Sequence, residues 1–208
     1  MEINEKENIV IGVSGSIAVG KTTLINKLVN ILPSSQIAIE DARQNPYIDD
    51  FYNDMKKWCF HSRISFLGLK LNSYSEIDKR YKYALIDRSI EELTIFAEHQ
   101  FKLGNFDEKE YNVYNTIYQG ILNFVPKLDI MLYLNCSPEV SLDRVKKRNS
   151  PYEKGVTLEY LTKLNYTYEE WLKKSECKNI IIINTEQELN LSDIVNQIQS
   201  VTKCIYRK

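Results

Sequence analysis

The stretch GSIAVGKTT, residues 15 to 23, decides how this chain is read. Gly15-x-x-x-x-Gly20-Lys21-Thr22 meets the Walker A pattern at every specified position. It follows an apolar run, NIVIGVS (8 to 14), and precedes a helical pattern over 21 to 32. Phosphate binding needs that strand–loop–helix context. Gly15 and Gly20 permit backbone conformations that other residues resist. The loop amides, through Ser16, Ile17, Ala18 and Val19 and on to Thr23, can then point at phosphate oxygens. The helix start adds partial positive charge. Lys21 is expected to reach the β- and γ-phosphates of ATP, and the Thr22 hydroxyl to coordinate magnesium. The loop implies a held triphosphate. It leaves open whether the last phosphate goes to water, to a small molecule or to another nucleotide.

Composition narrows the class. The chain has 208 residues, 43% hydrophobic and 26% charged, with 27 basic against 28 acidic residues. That length suits one domain with a substantial core, here residues 1–208. The near-neutral balance argues against broad nucleic-acid binding, which needs a basic excess. No apolar run approaches the ~18 residues a membrane span requires. The N-terminal MEINEKEN is too polar for a signal peptide. Cys59, Cys136, Cys177 and Cys204 form no Cys-x-x-Cys pair, which suits reduced thiols in a soluble cytoplasmic protein.

Short apolar runs recur at 8–14, 36–40, 83–87, 129–135 and 179–184. Several are apolar at consecutive positions, as strands covered on both faces should be. Helical patterns lie between them: 21–32, one or two helices over 47–74, 90–103 ending at Gly104, 107–124, a helix started by Ser137-Pro138-Glu139, one capped by Thr157, and 191–202. In 107–124, Tyr111, Tyr114, Tyr118, Ile121 and Leu122 share one face, which is either core or an interface. Strands alternating with helices predict an α/β fold with a five-stranded parallel sheet.

Ligands gather at the carboxyl ends of such strands. Glu40-Asp41 follows the second run, Asp87-Arg88-Ser89 the third, and Arg144, Lys146, Lys147 and Arg148 lie on the helix after the fourth. A carboxylate can take the proton of an acceptor hydroxyl, a second can hold magnesium through water, and arginines can clamp the transferring phosphoryl group. The base-reading Asn-Lys-x-Asp of GTPases is missing, so a small phosphotransferase is favoured.

Together these residues resemble the deoxyribonucleoside kinase family, especially its bacterial deoxypurine members. The likeness covers about residues 8 to 172. It runs through the glycine loop, Glu40, NPYIDDFYNDMKKWCF, DRSIEELTIFAEHQF and RVKKRNSPYEKGVTLEYLTKLNYTYEEWL. The resemblance implies a P-loop kinase fold with a helical, arginine-bearing lid at about 144–156. Glu40 would be the general base on the 5′-hydroxyl, with Lys21 and Arg88 also catalytic. Asp87 would join Thr22 at magnesium. Tyr52 and Glu153 match the pair that grips the deoxyribose 3′-hydroxyl, Phe96 an aromatic stacked on the base, and Arg144 and Arg148 lid arginines over the phosphates. A homodimer is the family's usual assembly.

The departures cluster where the base is read. Arg63 stands where the family often has glutamine, and Lys70 where it often has arginine. The expected acid is Glu92, or its place is taken by Leu93. Arg148-Asn149-Ser150 replaces the lid's Arg-Gly-Arg. Glutamine donates and accepts, whereas arginine only donates. Three readings are open for Arg63: a base edge such as guanine O6 and N7, the phosphate of a nucleoside monophosphate, or a structural pair with Glu92 or Asp87. The leading expectation is transfer of the ATP γ-phosphate to a purine deoxyribonucleoside. A thymidylate-like monophosphate kinase is second, disfavoured because a phosphate acceptor needs no base such as Glu40. A non-catalytic nucleotide-binding subunit is third.

Overall fold

The computed structural model describes residues 8–39, 41–150, 153 and 155–207. Glu40 lies outside them. Five strands, β1 (Ile9–Ser14), β2 (Ser35–Ala38), β3 (Tyr83–Asp87), β4 (Ile130–Asn135) and β5 (Ile180–Asn184), form one parallel sheet in the order β2-β3-β1-β4-β5. Each expected apolar run became a strand: 83–87 unchanged, 8–14, 129–135 and 179–184 shorter by one residue at the start, and 36–40 displaced to Ser35–Ala38.

The central strands are buried on both faces because every residue finds an apolar layer. Along β1, Ile9, Ile11 and Val13 enter one core with Leu24, Ile25 and Leu28 of α1 (Lys21–Ile31) and Ile194 and Ile198 of α8 (Leu191–Tyr206). Val10 on the same strand faces the other way. It joins Phe66 and Leu67 of α3 (Met55–Ser75), Leu93 of α4 (Glu92–Lys102), and Tyr114 and Tyr118 of α5 (Glu108–Ile121). This alternation is the pleat made visible. Each such aliphatic side chain, fully withdrawn from water, contributes about 1.5–3 kcal/mol.

The segment over 47–74 is two helices, α2 (Ile48–Asn53) and α3, broken at Asp54. Asp54 closes α2 and caps α3 by accepting from Lys57 N at 3.1 Å. Ser137 caps α6 (Pro138–Arg148) and Thr157 caps α7 (Leu158–Lys173). The tyrosines of α5 resolve as core: Tyr114 and Tyr118 are buried, and Tyr111 stacks on Phe101 with centroids 4.3 Å apart. No helix among the described residues is long and apolar enough to cross a membrane.

Register sets the site. Val13 pairs with Asp87 across β1 and β3, so the phosphate loop leaves β1 beside the Asp87-Arg88 turn. Ser14 pairs with Tyr133 on the other side. The chain's chemistry is thereby collected at the carboxyl end of the sheet.

Candidate active site

Loop 15–20 can close only with glycine at its first position. Gly15 has φ +139°, and a Cβ there would lie 2.4 Å from the Leu134 carbonyl oxygen. Gly20 caps α1 in the left-handed region at φ 97°. Ala18, at φ 57°, is a non-glycine residue in that same region. Two α6 side chains brace the loop from outside. Ser141 Oγ donates to Ile17 O at 2.5 Å, and Arg144 Nη1 donates to Ala18 O at 3.4 Å. Arg144 also donates to Thr185 Oγ1 at 3.0 Å, tying the loop to the end of β5.

Lys21 lies inside the loop, its ammonium donating to Gly15 O at 2.8 Å and Ser16 O at 2.6 Å. Burial, seconded by the Arg88 charge, lowers its pKa from 10.5 to about 7, while Glu92 and Asp87 pull the other way. Thr22 Oγ1 stands 3.3 Å from Asp87 Oδ2. A hydroxyl and a carboxylate so placed are hard oxygen donors that fit magnesium.

Arg88 is the hinge between loop and acceptor side. Its backbone is left-handed, φ 59°, a conformation that costs a non-glycine residue about 1–3 kcal/mol. Lys70 holds that turn. Fully buried, its ammonium donates to Asp87 O at 2.7 Å and Arg88 O at 3.0 Å. The Arg88 guanidinium lies 5.0 Å from the Phe96 ring centroid. Its Nη1 donates to Gly15 O at 3.2 Å, to Glu92 Oε1 at 3.0 Å and to Tyr168 Oη at 2.6 Å. Glu92 is fully buried. Its Oε1 also accepts from Tyr168 Oη (2.7 Å) and Gly15 N (3.3 Å), and its Oε2 accepts from Ser89 N (3.2 Å). Lys70 and Glu92, both expected to bind substrate, thus lie beneath the site and shape the Arg88 turn.

Two adjoining cavities open here. One, of about 660 Å³, is lined by the phosphate loop and α1 start, Asp87, Arg144 and Arg148. The other, of about 310 Å³, is lined mostly by apolar and aromatic side chains, with Tyr52, Arg63 and Phe96 among them. Arg88, Glu153, Ile17 and Ala42 line both. Ile17 through Thr23, Asp87, Arg88, Arg144 and Arg148 therefore share one chamber, and Tyr52, Arg63, Phe96 and Glu153 share its neighbour. Arg148 and Glu153 form a forked ion pair, Nε to Oε2 at 3.0 Å with Nη2 on Oε1, within the expected lid segment and on the wall of the phosphate chamber.

Two residues escaped the sequence reading. Tyr168 anchors both Arg88 and Glu92, and Gln100 lines the second cavity. The helical periodicity of α7 and α4 marks both as inward-facing, but no motif distinguishes them from ordinary core.

A Walker loop, paired oxygen donors, a clamp of arginines and an adjoining aromatic chamber on this sheet define a P-loop phosphotransferase. The family model for deoxynucleoside kinase matches residues 11–206. A deoxyadenosine kinase of Dictyostelium discoideum is 34% identical over 191 residues, covering 91% of this chain and 78% of that protein. A deoxyguanosine kinase of Bacillus subtilis is 29% identical over 170 residues, covering 79% of this chain and 78% of that protein. The structure of a deoxyadenosine kinase from M. mycoides with bound dATP superposes with a TM-score of 0.80 at 27% identity, covering 92% of this chain and all of that one. The chain belongs to the deoxynucleoside kinase family, whose members are ATP-dependent phosphotransferases.

Proposed function

We propose that this chain transfers the γ-phosphate of ATP to the 5′-hydroxyl of a deoxyribonucleoside, with a purine favoured. The pair of adjoining cavities that share Arg88 and Glu153 carries this reading. A triphosphate in the larger chamber would place its terminal phosphate toward the shared wall. A nucleoside in the smaller one would bring its 5′ end to the same wall. Little covalent work is then left to the protein beyond positioning and charge stabilisation.

The proposed roles draw support from the residues lining the two chambers. Lys21 and the loop amides bind the phosphates. Arg88, held by Gly15 O, Glu92 and Tyr168, presents its guanidinium where the phosphoryl group would pass. Arg144 and Arg148 flank the phosphate chamber, and closure of the 144–156 segment would exclude water and so suppress hydrolysis. Tyr52 and Glu153, both on the nucleoside chamber, are the proposed grip on the 3′-hydroxyl. Thr22 and Asp87 would hold magnesium, which when bound supplies charge neutralisation at the β- and γ-phosphates. Glu40, two residues beyond β2, is the proposed base that takes the 5′-hydroxyl proton.

A cytoplasmic homodimer is part of the same proposal. The tyrosines of α5 are spent in the core, but Val113, Ile117 and Phe124 near them are 48, 39 and 83% exposed. Light scattering should return twice the 24.4 kDa of one chain, and a monomer at micromolar concentration would refute this part.

The Glu40→Gln variant tests the base. Its turnover should fall by about 100-fold or more with ATP and nucleoside binding retained. Turnover at the parent rate would remove Glu40 from the mechanism.

A further inference from the structure

The second cavity shares part of its lining with the phosphate chamber. Arg88 and Glu153 line both chambers, on the shared wall; Arg63, Phe66, Leu93 and Gln100 line the second cavity alone. A phosphate on the acceptor would lie at the shared wall, so Arg63 is placed for the base.

The unshared lining offers donors. Arg63 is nine-tenths buried, with its guanidinium carbon 4.9 Å from the ring centroids of both Phe51 and Phe66. Those rings pack against it without offering an acceptor, and its buried Nε has no hydrogen-bond partner among the described residues. An arginine so desolvated, with a donor left over, is poised for an acceptor supplied from outside. Gln100, 5% exposed, adds a second donor. Its Oε1 already accepts from Asn105 Nδ2 at 2.8 Å, which turns its amide nitrogen to other partners. The carboxylate that could have balanced Arg63 is committed elsewhere. Both oxygens of Glu92 are engaged by Arg88, Tyr168, Gly15 N and Ser89 N. Glu153 is the acidic side chain on the cavity among the described residues, and it lies on the wall shared with the phosphate chamber, paired with Arg148.

We infer that Arg63, with Gln100 on the same cavity, makes this a site for 6-oxopurine deoxyribonucleosides, reading O6 and N7 and rejecting the 6-amino group of adenine. This rests on the kinase reading above and deepens it. Guanine and hypoxanthine present two neighbouring acceptors to a donor-only fork. Adenine presents one acceptor and a donor, so an N–H of the fork would face an N–H of the base and both would be left unsatisfied. Discrimination by such a pair is worth about 1–3 kcal/mol, or about 5- to 150-fold in kcat/KM. Relatives of both deoxyadenosine and deoxyguanosine type share the chain's likeness, so the likeness leaves the base to these residues.

The test compares kcat/KM for deoxyguanosine, deoxyinosine, 7-deazadeoxyguanosine, deoxyadenosine and deoxycytidine. With the parent enzyme, deoxyguanosine and deoxyinosine should be used about equally and at least about tenfold better than deoxyadenosine. The 7-deaza compound, which lacks the N7 acceptor, should lose about tenfold. Arg63→Gln, which restores an acceptor at this position, should bring deoxyadenosine level with or ahead of deoxyguanosine while the KM for ATP stays put. The analogue series needs no variant, so a misfolded Arg63→Gln leaves the proposal exposed to refutation. Preference for deoxyadenosine or deoxycytidine, or indifference to N7, overturns this inference and leaves the kinase reading standing. Failure of a folded, ATP-binding enzyme to phosphorylate any deoxynucleoside overturns both.

Discussion

Raising the pH should weaken ATP binding through Lys21. Its ammonium is buried in the loop, and its pKa is lowered to about 7 by burial and by the Arg88 charge. A triphosphate brings several negative charges to that nitrogen and should return the pKa toward 10 or above. At pH 8 the unliganded lysine is then about nine-tenths neutral, so binding takes up about 0.9 proton. Between pH 7.5 and 9 the dissociation constant for ATP should rise roughly 20-fold, a window above the pKa of about 6 of a terminal phosphate. Isothermal titration calorimetry in buffers of different ionisation enthalpy counts the proton directly. Lys21→Met should bind more weakly and lose the pH slope. The same shift has a stability consequence of fixed sign. Between 7 and 10.5 the unfolded chain binds more protons than the folded one, so the unliganded protein gains stability as pH rises through that window. Proton release or none at pH 8, or a pH slope that survives in Lys21→Met, would refute the reasoning.

Other perturbations test the frame around that lysine. Gly15→Ala forces a Cβ to within 2.4 Å of Leu134 O at a φ of +139°; strain and overpacking of about 1–3 kcal/mol each predict a loss of about 2–6 kcal/mol in urea unfolding. Its KM for ATP should rise as well, and a variant that melts and binds like the parent would contradict the loop geometry. Tyr168→Phe takes a hydroxyl from Arg88 and Glu92, destabilising the protein by about 1–3 kcal/mol and lowering kcat, measured by thermal melting and steady-state kinetics. Lys70→Met strips one buried and one part-buried carbonyl of their donor, for about 1–4 kcal/mol, and should release the left-handed turn at Arg88, visible as loss of phosphoryl transfer before loss of fold.

The sheet was legible because its central strands are unbroken apolar runs and because a phosphate loop announces the first of them. The break at Asp54 was not, since α3 carries Ser62, Arg63, Lys70 and Ser73 on its buried side and so lacks a clean apolar stripe. Thr22 and Asp87, 65 residues apart, and Arg144 and Arg148 meet on one cavity through the fold, but the phosphate loop itself could be read because its spacing is local. The network under Arg88 could not. It joins Gly15, Arg88, Glu92 and Tyr168 through hydrogen bonds between residues as many as 80 positions apart, and nothing local in α7 distinguishes Tyr168 from its other tyrosines. Lys70 reads as a base-site cation until its two carbonyl partners are seen. Arg63 stayed open among three roles, and its separation from the phosphate chamber bears on that choice.

The central claim concerns where the last phosphate goes. The direct measurement is phosphorus NMR of the products formed from ATP and magnesium with each of a panel of deoxynucleosides and deoxynucleoside monophosphates. The account predicts a deoxynucleoside 5′-monophosphate and ADP in equal amounts, with the monophosphates left unphosphorylated. Formation of a diphosphate from a monophosphate, with every deoxynucleoside left untouched, would contradict it.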